Sequence, residues 1–238
     1  MRKVKPALKP RKLPVQARSK HTIDAIFEAT IQVLLVGGVG KLTTTKVADR
    51  AGVSVGTLYQ YFPNKNVLLG ALLELHLLEV VEAIEASCLN FRGAKLDRLA
   101  KELVDAYLNV KLRRPEKSVA LYSVAVAIEA TEIVQALTKR TQGAISQALE
   151  SVPDRKFDEL DMVTIVFTTS LMGPVQAFLL AKPPSAAFEN LRTQLQALSR
   201  AYLRASSVNI ATNKIPRKIE LSTRAPFDRI NRGRSLAG

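Results

Sequence analysis

Leu42-Thr43-Thr44-Thr45-Lys46-Val47-Ala48-Asp49-Arg50-Ala51-Gly52-Val53-Ser54-Val55-Gly56-Thr57-Leu58-Tyr59-Gln60-Tyr61-Phe62-Pro63-Asn64-Lys65 is the stretch on which the reading of this chain turns. The three threonines offer hydroxyls to the free N–H groups of a helix start. Val47, Ala48 and Ala51 follow on one face at helical spacing. Ala48 is small enough for a second helix to lie close against the first. Gly52 can adopt the left-handed conformation that ends a helix, and apolar Val53 packs under the turn. Ser54 is a natural cap for the next helix, in which Leu58 and Phe62 face inward one turn apart. Pro63-Asn64 stops that helix, and Asn64 caps another that starts at Lys65. Two short helices joined by a Gly turn can also be ordinary packing. Here the small residue, turn, cap, apolar positions and stop agree, and they describe the helix-turn-helix that places its second helix in the major groove of DNA.

The helices around this motif read as all-α. A first helix from about Ser19 to Leu35 carries Ile23, Ile26, Phe27, Thr30, Val33 and Leu34 at a period of 3.6, and Gly37-Gly38-Val39-Gly40 should end it. A long helix from Lys65 to Ser87 presents Leu68, Leu69, Leu72, Leu75, Leu78, Val81 and Ile84 as one apolar face. Lys95 to Arg113 follows, with Leu96, Leu99, Leu103 and Tyr107 inward. Glu116 to Leu149 reads as two helices broken near Glu129–Glu132. Asp158 to Lys182 is strongly apolar, with Gly173-Pro174 expected to kink or split it. The last helix spans about Ala186 to Arg204, with Leu191, Leu195, Leu198 and Tyr202 as its stripe. No strand signal has weight. The expected order is a basic mobile arm (1–17), a three-helix reader (18–66, motif about 43–62), a helical domain for ligand and dimerisation (67–205), and a basic disordered tail (206–238).

Charge supports the same division. The net charge of +14 is concentrated at the ends: residues 1–20 hold eight basic and no acidic residues, and residues 206–238 hold seven basic and two acidic ones. The interior is nearly neutral. Basic arms beside a neutral body suit a phosphate backbone, and the N-terminal arm adjoins the reader. The C-terminal tail fits DNA or solubility equally well. The single Cys88 excludes an intrachain disulfide framework and fits a reducing cytoplasm. The apolar runs fall short of a membrane span, and the basic N-terminus lacks the apolar region of a secretory signal. His21 and His76 stand far apart, and no phosphate loop or His-x-x-x-His pair is present. Glu79, Glu82 and Glu85 read as a solvated face. The expectation is therefore no catalysis, no cofactor and no metal. A DNA-coating protein is the remaining alternative, opposed by the large neutral body.

The run from Thr44 to Lys65, ending Gly-Thr-Leu-Tyr-Gln-Tyr-Phe-Pro-Asn-Lys, resembles the tetracycline-repressor family of bacterial transcription regulators, over about residues 18–70. That resemblance implies a homodimer on a palindromic operator, released by a small molecule bound in the C-terminal domain, in the cytoplasm. The dimer should form as a four-helix bundle from the last two helices. Thr44, Thr45, Lys46, Tyr59, Tyr61 and Lys65 are the candidates for phosphate contact. Ser54, Val55, Gly56 and Thr57 lie at the start of the recognition helix, and Gln60 is its one long amide, able to reach an adenine. Lys41, Arg18, Lys20 and His21 add general electrostatics. Tyr107, Tyr122, Phe167 and Met172 are the candidate effector contacts. Because no cluster of buried charge stands out, the effector is expected to be mostly apolar.

Overall fold

The computed structural model describes residues 17–210. The basic arm and most of the C-terminal tail lie outside that range. Nine α-helices make up the described chain: α1 (Ala17–Lys41), α2 (Thr44–Ala51), α3 (Val55–Tyr61), α4 (Lys65–Asn90), α5 (Leu96–Arg113), α6 (Pro115–Ala127), α7 (Thr131–Glu150), α8 (Leu160–Leu180) and α9 (Phe188–Ala205). The one sheet is a two-residue antiparallel pair, β1 (Arg155–Lys156) with β2 (Val208–Asn209), where no strand was expected. It holds the first residues past α9, read as disordered tail, against the α7–α8 loop.

The helix-turn-helix forms as its residues dictate. Thr43 caps α2 by accepting from the Lys46 N–H at 3.2 Å. Gly52 ends α2 at φ 67°, ψ 30°, and the Val53 N–H returns to the Ala48 carbonyl at 3.0 Å. Ser54 Oγ takes the Thr57 N–H at 2.9 Å to start α3, and Asn64 Oδ1 takes the Val67 N–H at 2.9 Å to start α4. Val47, Ala48, Leu58 and Phe62 are fully buried, with the Phe27 ring 5.5 Å from that of Phe62.

Two apolar cores share α4. Its first turns (Val67, Leu68, Leu69, Leu72, Leu73) pack with α1, α2 and α3, joined by Leu121 and Val124 of α6. From Val80 onward it packs with α5, α7, α8 and α9 around Phe167 and Leu103. Its middle departs from the expected stripe: Leu75 is exposed and His76, beside it, is buried. The buried positions Leu69, Leu73, His76, Val80, Ile84 and Ser87 keep to one face at spacings of three and four, whereas the expected positions, spaced mostly by threes, drift around the helix.

The glycines after Leu35 end the first run of α1, as expected, and other expectations are corrected. Gly38 (φ 65°, ψ −179°) breaks the axis in a conformation reserved to glycine, and a last turn continues to Lys41. Gly173-Pro174 does not split α8; both residues are on its exposed face, where water can take up the carbonyl freed by proline. On α9 the inward positions are Leu195, Ser199 and Leu203, while Leu198 faces outward. By length and composition α1 and α8 are also long and apolar enough to cross a membrane, contrary to the reading of the apolar runs. Each buries part of its apolar surface in one of the two cores.

Gly52→Ala is expected to destabilise the chain by ~1 kcal/mol, because the added methyl meets open space and only the left-handed backbone opposes it. Urea unfolding checks this. A change under a few tenths of a kcal/mol would contradict it.

Candidate nucleic-acid interface

Because the caps fix α2 and α3 against each other, the candidate phosphate and base contacts fall on one surface. Thr44 Oγ1 and the Tyr59 hydroxyl are 3.0 Å apart, tying the first turn of α2 to the outer face of α3. Tyr59 is 43% exposed, so its ring is shared between packing and the outer surface. Thr45, Lys46, Gly56 and Gln60 are exposed, and Val55, Thr57, Tyr61 and Lys65 are half-buried. Lys46 Nζ donates to the Lys41 carbonyl at 3.0 Å, which links α2 to the end of α1 and keeps the ammonium at the surface. Ser54 is occupied as a cap, and its Oγ lies 2.8 Å from Thr57 Oγ1. The Thr57 methyl is then its free surface for an outside contact. An exposed Arg50, which the sequence reading passed over, donates to Gln32 at 2.6 Å and braces α2 on α1.

The reader is fastened to the rest of the chain by more than α4. Arg114, at the α5–α6 junction, forms a two-pronged bridge to Glu28 of α1 at 2.8 and 3.1 Å. The guanidinium holds the Glu28 carboxyl below its ordinary range. A groove of about 580 Å³ opens beside it, where α1 (Leu34), α6 (Val119) and the α8–α9 connection (Pro183) meet. Neither element of this junction carries a spacing that sequence alone would flag.

The C-terminal core contains a second, partly open cavity of about 50 Å³. Leu77, Val80, Val81 and Ile84 of α4 form one wall, and Tyr107, Thr141, Leu171 and Met172 lie among the others. Of the four candidate effector contacts, Tyr107 and Met172 line it. Phe167 is buried in the core beneath, and Tyr122 packs on α6 beside Tyr107. Cys88 is buried, and desolvation pushes its thiol up to about 12, as expected of a structural residue.

One expectation about this region is overturned. Buried charge is present: Lys111 is 3% exposed and His76 is 2% exposed, with Lys111 Nζ 3.4 Å from His76 Nε2. His76 Nδ1 is 3.5 Å from Glu79 Oε2, and Glu79 also meets Lys117 at 3.2 Å and Arg113 at 3.3 Å. Glu79 is thus part of a network instead of a solvated face. Desolvation lowers the His76 pKa, so the ring is neutral. The Glu79 carboxyl is held at about 2, by His76 first and then by Lys117 against the cost of burial.

Known proteins bear on these two regions. Residues 26–72 match the family described as bacterial regulatory proteins of the tetR family, and residues 96–203 match the tetracyclin repressor-like C-terminal domain. The chain belongs to the tetracycline-repressor family. Its members are helix-turn-helix transcription regulators and not enzymes. Among relatives in this family, the uncharacterized HTH-type regulator YvdT of Bacillus subtilis is 32% identical over 31% of this chain and 37% of its own length. The HTH-type regulator BetI of Klebsiella pneumoniae is 28% identical over 56% of this chain and 65% of its own. The chain thus spans from about a third to about two-thirds of these relatives. A TetR-family regulator from Mesorhizobium loti shares the fold at a TM-score of 0.64 and 17% identity, over 81% of this chain and all of that one.

The network makes a prediction about acid. A carboxyl depressed in the folded state stabilises above its unfolded pKa, and that contribution is lost as pH falls through the folded value. The stability gap between the native chain and Glu79→Gln should be full above about pH 5 and close as pH falls from 4.5 toward 2. Urea midpoints across that range measure it. A gap independent of pH would show that Glu79 carries no such linkage.

Proposed function

We propose that this TetR-family regulator is a repressor that binds a palindromic operator as a homodimer and releases it when a small molecule enters the C-terminal domain. The observation that carries this reading is the continuity of α4. Its N-terminus adjoins the recognition helix, and Leu77, Val80, Val81 and Ile84 on the same rigid element wall the interior cavity. A ligand that shifts this wall tilts the helix on which the reader is mounted.

On DNA, Val55, Gly56 and the Thr57 methyl approach the bases, with Val55 and Thr57 suited to thymine methyl groups and Gln60 to an adenine. Thr44, Thr45, Lys46, Tyr59, Tyr61 and Lys65 take phosphates. Two copies then read half-sites about one helical turn, ~34 Å, apart. For the dimer surface, α8 and α9 offer an unpartnered apolar face: Met162, Ile165, Val166, Leu180 and Leu198 are all exposed. These helices from two copies pack as a four-helix bundle. Such a protein acts on DNA in the cytoplasm.

Operator selection from genomic fragments, followed by footprinting, tests the reading. One short protected palindrome supports it, and uniform coverage supports a DNA-coating role instead. Lys65→Ala should weaken binding to all sequences and lower the salt slope by about one unit, whereas Val55→Ala or Thr57→Ala should change the preferred half-site. An unchanged affinity for Lys65→Ala at physiological salt would remove that residue from the interface.

The double substitution Ile165→Glu with Leu198→Glu should convert the dimer to a monomer with at least about a hundredfold weaker operator binding. Sedimentation at micromolar concentration reads the first effect and operator titration the second. A monomeric native chain that still binds one palindrome specifically would overturn the dimer.

A further inference from the structure

Lys111 is the one buried ammonium among the described residues, and no carboxylate there lies within 4 Å of its Nζ. Its contacts are His76 Nε2 at 3.4 Å and the face of the Tyr122 ring, 4.4 Å from the centroid. The neutral His76 accepts from Lys111 through Nε2, which places its own proton on Nδ1, toward Glu79. Glu79 is already shared by Lys117 and Arg113. Two cations therefore share one carboxylate where α4, α5 and α6 meet, and the innermost cation, Lys111, has none. The Tyr122 hydroxyl is buried there, facing that of Tyr107.

An unpaired buried cation is costly, and burial followed by the repulsion of Lys117 lowers the Lys111 pKa to about 8. Replacing it by a hydrocarbon side chain would cost the fold little. The cluster lies one helical turn from the interior cavity: Tyr107, one turn before Lys111 on α5 and beside Tyr122, walls that cavity. The cavity is apolar on its remaining sides and holds a chain of roughly four heavy atoms.

We propose that Lys111, with the Tyr122 hydroxyl beside it, is an anion subsite, and that the molecule entering the cavity is a small amphipathic carboxylate whose apolar tail lies along α4. This rests on the effector reading above and replaces the expectation of a mostly apolar ligand. A carboxylate here supplies the missing counter-charge and accepts from the ammonium and the phenol. The contact is made on α5 and α6, so the ligand bridges the α4 wall to the elements that carry Arg114.

The test uses the full-length protein with its selected operator and straight-chain carboxylates from propanoate to pentanoate, each against the neutral amide of the same length. Calorimetry reads binding, and fluorescence anisotropy of labelled operator reads release. Native protein should prefer carboxylate by about tenfold or more, the value of a charge-assisted hydrogen bond over a neutral one. Lys111→Met should reduce that preference to about one while leaving amide affinity within about twofold. Equal affinity of the native protein for both series, no binding of either, or a preference that survives Lys111→Met overturns the subsite. Carboxylate and amide releasing the operator equally well would overturn the subsite and leave the effector cavity standing. A Lys111-dependent preference without operator release would support the subsite and overturn the effector reading.

Discussion

The burial of α4 in two separate cores is the constraint on which the rest of this molecule depends. Its first turns complete the apolar interior of the reader, and its later turns complete that of the C-terminal helices. A helix of 26 residues transmits displacement along its axis because bending it strains its own hydrogen bonds. Neither core can therefore rearrange around α4 without the other registering it. Between the two lies the segment where Leu75 turns outward and His76 inward, and the polar network occupies that changeover.

That location explains why charge appears in the interior at all. A helix passing from one core to another leaves a place where neither core closes fully around it. Lys111, His76, Glu79 and Lys117 fill this place with hydrogen bonds and ion pairs. Such groups specify one rotation of α4 more sharply than interchangeable aliphatic contacts do, since polar partners are lost outright when displaced. The buried Ser118 adds to this by donating to the Lys111 carbonyl at 3.0 Å, which fixes α6 on the end of α5.

The local elements were legible in the sequence because their determinants are local. Thr43, Gly52, Ser54 and Asn64 each act within three or four residues, so the motif and its four boundaries could be read directly. The same holds for the α5 face of Leu96, Leu99, Leu103 and Tyr107 and for the break between α6 and α7. What was not legible depends on residues far apart. Lys111 continues the inward stripe of α5 one turn after Tyr107, but a lysine near a helix end is read as a surface residue until α4 and α6 are placed around it. Gly37–Gly40 was legible as a helix end, and Gly38 does break α1 there, but the further turn to Lys41, packed on α2, was not. On the candidate DNA face, the types of residue were visible, but not the contact between Thr44 and Tyr59, which requires the two helices to be folded together. Leu198 shows the same limit on α9: an apolar stripe does not say which side is core and which awaits another surface.

The bridge between Arg114 and Glu28 has a mechanical consequence of its own. With α4 as the only link, the reader could swing in any direction about a single pivot. The bridge on α1 and the packing of Leu121 and Val124 of α6 into the reader core hold it at further points, so some directions of swing are opposed more than others. A restricted swing of this kind would turn small shifts deep in the C-terminal helices into a repeatable change in the angle of the recognition helix.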